Sequence, residues 1–244
     1  MPLICHTERS SGIAGVWHIL ESESELLELA RPDARDLETL STYRNESRRK
    51  QWLACRVLLG ELIKSTFVKI VYNPDGKPLL KGFLGEISFS HTKEYAAVIL
   101  DSYNPVGIDI EKVKPRIEKV RSRFLNEDEL EYIDQLCCRV GDKETGRLAP
   151  GGETALPGTR VNQTEISERR LEILYIYWCS KEALYKIHGK HSVDLKNDIH
   201  IRPFDYFCKL QGYLSALLTT PEGTELHRLQ YEMISDHMLV YTLR

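Results

Sequence analysis

The sequence predicts an α+β protein made of two similar halves packed side by side, with a cleft between them. Three observations predict it. Residues 45–64 and 170–188 carry apolar side chains at three- and four-residue steps, the period of a helix. Each stretch is followed by short segments in which apolar and polar residues alternate, the period of a strand. Finally, Trp52-Leu53-Ala54-Cys55-Arg56-Val57-Leu58 can be laid over Trp178-Cys179-Ser180-Lys181-Glu182-Ala183-Leu184, a faint internal echo. With 244 residues, 42% of them hydrophobic, the chain can bury a sizeable core as one domain or two small ones. The halves are drawn as residues 1–105 and 106–244.

The elements follow in chain order. A strand is expected near Ala14–Leu20 and a helix over Ser24–Leu29, overlapping the acidic run Glu21–Glu25. Residues 45–64 form the clearest early helix. Trp52, Cys55, Leu59, Leu62 and Ile63 make its apolar stripe, and Arg48, Arg49, Arg56 and Lys64 stand opposite. Lys69–Tyr72 reads as a short strand, closed by the turn Asn73-Pro74-Asp75-Gly76. Ile87–Ser90, Tyr95–Leu100 and Val106–Ile110 read as strands, and Ser102–Pro105 predicts a hairpin between the last two. Asn126-Glu127-Asp128-Glu129 has the form of an N-cap with an acid at the third position, opening a helix toward Leu136.

Residues 139–168 hold many turn residues and few large apolar ones, and read as a mobile insertion. The helix at 170–188 is expected to stop at Gly189. Tyr206–Gln211, Tyr213–Leu218, Leu226–Met233 and Met238–Leu243 then read as an antiparallel sheet, with a turn at Pro221-Glu222-Gly223.

Composition excludes several classes of function. A net charge of −3, with Lys and Arg not gathered into tails, gives no global pull toward nucleic acid. No apolar run approaches the length of a membrane helix, and the first residues do not read as a signal peptide. Cysteines at 5, 55, 137, 138, 179 and 208 form no CxxC pair, which fits reduced thiols in a cytoplasmic protein.

The chemistry concentrates in two motifs. In Val106-Gly107-Ile108-Asp109-Ile110-Glu111, a strand puts Asp109 and Glu111 on one face, and Gly107 permits close backbone approach. Taken alone, the pair fits an ordinary half-exposed strand. Two adjacent carboxylates repel, however, unless a cation lies between them, and magnesium prefers a few carboxylates plus phosphate oxygens and water. In Trp178–Lys186, Glu182 and Lys186 stand four apart on one helical face. On a solvated helix they would be a common surface pair. Here Trp178, Leu184, Tyr185 and Ile187 make the helix apolar around its girth, so this face is expected to line a cleft. Ser88-Phe89-Ser90-His91-Thr92 ends a strand with groups able to bind phosphate, and Gly76-Lys77-Pro78 offers a lysine from a turn. Arg56 sits in the apolar part of its helix, where a partly buried guanidinium can face an anion.

Taken in order, these pieces resemble the 4′-phosphopantetheinyl transferase superfamily, in its two-halved, surfactin-synthetase-activating type. The carriers of the resemblance are Val106–Glu111, close to the pattern Val-Gly-x-Asp-x-Glu, and Trp178–Lys186, close to Trp-Ser-x-Lys-Glu-x-x-x-Lys. Gly76-Lys77-Pro78, Ser90-His91-Thr92 and Arg56 before Leu58-Leu59 precede them, so the likeness spans about residues 40 to 200. Cys179 and Thr92 replace serines, and Ser41 stands where a further basic residue is expected.

The resemblance implies a pseudo-twofold fold and transfer of the phosphopantetheine arm of coenzyme A to a serine of an apo carrier protein. Adenosine 3′,5′-bisphosphate would be released. Asp109, Glu111 and Glu182 would hold magnesium. Glu182 or a metal-bound water would take the serine proton, and Lys186 would neutralise the pyrophosphate. Arg44, Arg56, Gly76, Lys77, Pro78, Ser90 and His91 would bind coenzyme A, chiefly its 3′-phosphate and adenosine end. Lys181 would either hold phosphate or orient its helix. The basic run from Lys112 through Lys114, Arg116, Lys119 and Arg121 to Arg123 would dock an acidic carrier domain. A monomer is expected, since the two halves already supply both sides of the cleft. The competing readings are a non-catalytic coenzyme A or carrier-protein binder of the same fold, and a magnesium-dependent phosphohydrolase.

Overall fold

The computed structural model describes residues 3–8, 11–65, 69–138, 163–188, 193–206 and 211–243. It is an α+β protein with two main antiparallel sheets, each covered by one long helix. The first sheet has the order β1-β2-β6-β5, from β1 (Leu3–Glu8), β2 (Gly12–His18), β5 (Glu86–His91) and β6 (Tyr95–Asp101). A separate small pair joins β3 (Ile70–Tyr72) and β4 (Pro78–Leu80). The second large sheet has the order β7-β11-β10-β9-β8: β7 (Ile108–Lys112), β8 (Ile199–Ile201), β9 (Gln211–Thr220), β10 (Gly223–Ile234) and β11 (His237–Leu243).

The helices begin where local chemistry starts them. Before α1 (Glu23–Ala30), Ser22 and Glu25 form a reciprocal capping box. Asp33 caps α2 (Ala34–Ser41) and Asn45 caps α3 (Glu46–Ile63). Asn126 and Glu129 cap α4 (Glu127–Cys138) reciprocally, at 2.8 and 3.2 Å. The helix α5 (Gln163–His188) carries five consecutive residues, Ile173 to Tyr177, that are all buried. Over that stretch the helix is surrounded by protein on every side.

Three apolar clusters divide the interior. One gathers Leu53, Leu58 and Leu59 of α3 against Val98 and Leu100 of β6. Another gathers α5 against β9, β10 and β11 through Ile173, Tyr177, Leu214, Leu229 and Val240. The third unites strands of both large sheets: Val16, Ala97 and Ile99 with Ile108, Ile110, Leu239 and Tyr241. The apolar residues of β7 therefore point into a seam between the two sheets, and the alternate positions 109 and 111 point away from it.

The structure departs from the sequence-based expectations at several points. The predicted hairpin between the strands ending at Leu100 and Ile110 does not form, because β7 pairs with β11 and not with β6. Asp101 turns the chain aside: its Oδ1 accepts from the backbone N–H of Tyr103 and Asn104 at 2.8 and 2.9 Å. The expected insertion at 139–168 is helical from Gln163 onward, so α5 begins seven residues before position 170; residues 139–162 and Gly189 lie outside the described residues. Tyr206 is not in a strand. The strand beside β9 is β8, which the alternation of so short a segment does not reveal, and residues 207–210 lie outside the described residues. Further elements that the sequence does not reveal are β1, α2, β4 and two short 3-10 turns, Pro115–Lys119 and Arg121–Arg123.

Candidate active site

Gly107 determines how β7 meets α5. A Cβ built on it would lie 1.8 Å from the carbonyl oxygen of Ala183 and 2.6 Å from its carbonyl carbon. Only glycine lets the strand cross the helix this closely. Thr242 fixes the strand from the other side, its Oγ1 accepting from Gly107 N–H at 3.0 Å and its own N–H donating to Gly107 O at 2.9 Å. The crossing sets Asp109 and Glu111 against Glu182 and Lys186. Lys186 Nζ donates to Ile108 O at 2.8 Å and to Asp109 Oδ1 at 2.7 Å. Ser90 on β5 donates to the same Oδ1 at 2.8 Å. The other oxygen, Oδ2, is buried without a hydrogen-bond partner.

The carboxylates feel one another. Burial, Asp109 and Glu111 push the Glu182 carboxyl up to about 7, against the opposing pull of Lys186. Glu111 is also raised, first by burial and then by Asp109. Arg116 and Lys186 both draw Glu111 back down, but Asp109 Oδ2 stays buried without a partner, and an orphaned buried carboxylate oxygen calls for a cation. The hard oxygen donors here suit magnesium. Among the described residues, the His and carboxylate atoms close enough to share one ion are those of Glu94, Asp236 and His237, at the far end of β7. That group already has its cation: Lys112 Nζ lies 2.9 Å from Glu94 Oε1 and 3.0 Å from Asp236 Oδ2.

Glu182, Tyr185 and Lys186 close one side of a cavity of about 480 Å³. Its other walls come from α3, the β3–β4 turn and β5, and include Arg56, Gly76, Lys77, Pro78, Ser90 and His91. Arg56 is buried, lies 3.0 Å over the Trp52 ring and reaches Asp36 Oδ1 at 3.4 Å. Gly76 takes a positive φ of 80° that lets the turn close, and Lys77 Nζ donates to Ile187 O at 2.9 Å. Cys55, also in the wall, has its thiol pushed up to about 12 by burial, so it stays un-ionised. Glu111 points elsewhere, into a second recess of about 400 Å³ shared with Arg116, Lys119, Tyr175 and Trp178.

Two expected ligands lie outside the main cavity. Arg44 is exposed and is not part of the wall. Lys181 is fully buried, and its Nζ donates to Glu129 Oε2 at 2.7 Å. Glu129 also accepts from Ile201 N–H at 2.9 Å, so this ion pair ties α5 to α4 and β8. That arrangement fits the helix-orienting role of Lys181 rather than the phosphate-binding one.

The sequence reading missed Arg48. On the polar face of α3, where it is exposed, it also contacts His91 Nε2, stacks on Tyr43 at 5.5 Å and lines the cavity. Burial, then the charge of Arg48, pushes His91 down to about 4, so its imidazole is neutral near pH 7. The available signal was its spacing, two helical turns before Arg56 on the same helix.

Comparison with known proteins bears on this site directly. The family model described as 4′-phosphopantetheinyl transferase superfamily matches residues 105–206, which hold Asp109, Glu111, Lys181, Glu182 and Lys186. A 4′-phosphopantetheinyl transferase AcpT of Escherichia coli (strain K12) is 37% identical over 182 residues, covering 71% of this chain and 76% of the relative. A 4′-phosphopantetheinyl transferase AcpT of Salmonella typhi is 39% identical over 143 residues, or 58% of this chain and 60% of the relative's length. With Asp109 bonded to Lys186 and Glu182 in the wall of a basic cleft, and with relatives this similar over most of their length, the chain belongs to the 4′-phosphopantetheinyl transferase superfamily.

Proposed function

We propose that this protein transfers the 4′-phosphopantetheine arm of coenzyme A to a serine hydroxyl of an apo acyl or peptidyl carrier protein, with magnesium, releasing adenosine 3′,5′-bisphosphate. The observation that carries the reading is the bond from Lys186 to Asp109, beside a Glu182 whose carboxyl is raised, at the edge of a cavity walled by Arg48, Arg56, Lys77 and His91. In this reading the adenosine and 3′-phosphate end lies against α3, Lys77 and His91, and the pyrophosphate lies at Lys186. Magnesium held by Asp109, Glu111 and Glu182 would supply charge to the pyrophosphate oxygens and polarise phosphorus.

The chain's own groups do the rest. Lys186 is the cation that neutralises the phosphate as it leaves. Glu182, a carboxyl raised to about 7, accepts the proton of the attacking serine hydroxyl. As the serine oxygen bonds to phosphorus, the bond from phosphorus to the bridging oxygen breaks, and that oxygen leaves as the 5′-phosphate of the nucleotide.

The surfactin-activating type and a pseudo-twofold relation of the halves belong to the same proposal. Each half sets one long helix, α3 or α5, on an antiparallel sheet, and edge strands β5 and β7 meet between them. The division at 105/106 falls in the crossover between the sheets, so residues 1–105 would hold the nucleotide end and 106–244 the metal and carrier. A single chain supplies both walls, which supports a monomer. No described helix is long and apolar enough to cross a membrane, and Cys55, Cys137 and Cys179 are free thiols, in keeping with a cytoplasmic setting.

One assay tests the whole reading. The protein is mixed with coenzyme A, magnesium and a panel of apo carrier domains, and carrier mass is measured. A gain of the phosphopantetheine arm that vanishes in Asp109→Ala is the expected result. Coenzyme A hydrolysis without carrier modification would instead identify a phosphohydrolase, and binding without any reaction a non-catalytic binder.

Carrier docking has its own test. Lys114, Arg116, Lys119, Arg121 and Arg123 are exposed, and Arg116 and Lys119 rim the recess into which Glu111 points. An acidic helix seated there would bring its serine beside the carboxylates. Arg116→Glu with Arg121→Glu should raise the KM for carrier about tenfold, the low end of electrostatic steering, and steepen with falling salt. Coenzyme A affinity should stay as it was. An unchanged carrier KM would put docking on another surface.

A further inference from the structure

Ser88 and Ser90 lie two apart on β5, at the edge of the first sheet, facing β7 at the edge of the second. Their hydroxyls join the two edges where no backbone ladder does. Ser88 Oγ accepts from Ile108 N–H at 3.3 Å, and Ser90 Oγ accepts from Ile110 N–H at 3.2 Å. Ser90 makes one further bond: it donates to Asp109 Oδ1 at 2.8 Å.

A serine hydroxyl has one proton. In Ser90, which is 8% exposed, that proton is held in a charge-assisted bond to a carboxylate. A phosphate oxygen needs a donated proton, and Ser90 has none to spare. Lys186 Nζ reaches the same Oδ1 at 2.7 Å. Two donors converging on one oxygen fix the carboxylate's rotation and leave Oδ2 buried and without a hydrogen-bond partner. That oxygen is thereby held for a cation.

We propose that Ser90 is a positioning residue that orients Asp109 for the metal, and not a ligand of the 3′-phosphate of coenzyme A. The inference rests on the reading of Asp109 as a magnesium holder. It also gives the two serines different duties: Ser88 joins the sheets, whereas Ser90 joins them and aims the carboxylate.

Manganese can stand in for magnesium as a probe read by electron paramagnetic resonance, on protein saturated with coenzyme A. Ser90→Ala should weaken Mn²⁺ binding about ten- to a hundredfold, the usual cost of losing a partner that orients a metal ligand. Ser90→Thr, which keeps the hydroxyl, should restore the affinity to within about threefold of the parent. Ser88→Ala loses the equivalent bond to β7 but should leave Mn²⁺ affinity unchanged, which separates aiming from mere joining. Without metal, Ser90→Ala should bind coenzyme A and 3′-dephospho-coenzyme A with the same ratio of affinities as the parent.

Parent-like Mn²⁺ affinity in Ser90→Ala would overturn the positioning role, as would loss of the preference for the 3′-phosphate in that variant. If the unaltered protein binds no Mn²⁺, or if Asp109→Ala binds it equally well, the metal reading beneath the proposal falls and takes the proposal with it.

Discussion

Gly107→Ala is expected to cost at least about a hundredfold in kcat for carrier modification, the penalty that misplacing reacting groups by an ångström can carry. The added methyl would lie 1.8 Å from Ala183 O and 3.2 Å from Ala183 Cα. Both belong to the backbone of a buried helix and cannot swing aside as a side-chain tip can. The strand cannot retreat either, because Thr242 holds Gly107 through both its N–H and its carbonyl oxygen. The strain must therefore separate β7 from α5, and with them Asp109 and Glu111 from Glu182 and Lys186. Overpacking of this kind also destabilises by about 1–3 kcal/mol. Gly15→Ala is the control, since its methyl would meet the flexible end of Leu62 at 2.9 Å, on the face of β2 turned toward α3. It should lower Tm while kcat stays near that of the parent. Matching losses of kcat in the two variants would show that general destabilisation, and not the helix–strand crossing, governs activity.

The same crossing marks what the sequence could and could not disclose. Gly107 was legible as a close-approach glycine because it opens a strand whose alternate residues are carboxylates, and Glu182 and Lys186 because their spacing and apolar neighbours are local facts. The helices α3, α4 and α5 were legible for the same reason: periodicity and caps are written in neighbouring residues. Strand partners are not. Alternation in Val106–Ile110 says which side chains share a face but not which strand lies alongside, so the pairing of β7 with β11 instead of β6 stayed hidden. The partners of two charged side chains stay open in the sequence on similar grounds. The partner of Lys181, Glu129, is 52 residues away, and the polar face of α3 that carries Arg48 looks into a cavity whose other wall belongs partly to α5.

Glu182→Gln should lose transfer activity by about a hundred- to ten-thousandfold, the range for removal of a general acid–base group, and yet fold more stably than the parent in metal-free buffer at pH 8. The two effects have one cause. Glu182 is held beside Asp109 and Glu111 in a partly buried site, and its carboxyl rises from an ordinary 4.5 to about 7. A group that binds its proton more tightly in the folded state loses stability as pH rises between the unfolded and folded pKa values. Glu182 therefore weakens the folded protein progressively from about pH 4.5 to about pH 7, and the deficit persists above that. Glutamine keeps the shape but carries no charge, so it escapes the deficit. The Tm advantage of Glu182→Gln, measured with a chelator present, should shrink as pH falls toward 5. Magnesium should raise the Tm of the parent and do so less for the variant, because a ligand that binds only the folded state stabilises it. A variant that is inactive but less stable than the parent at pH 8 would mean that Glu182 supports the fold, and the proton acceptor would then have to be sought elsewhere in the cleft.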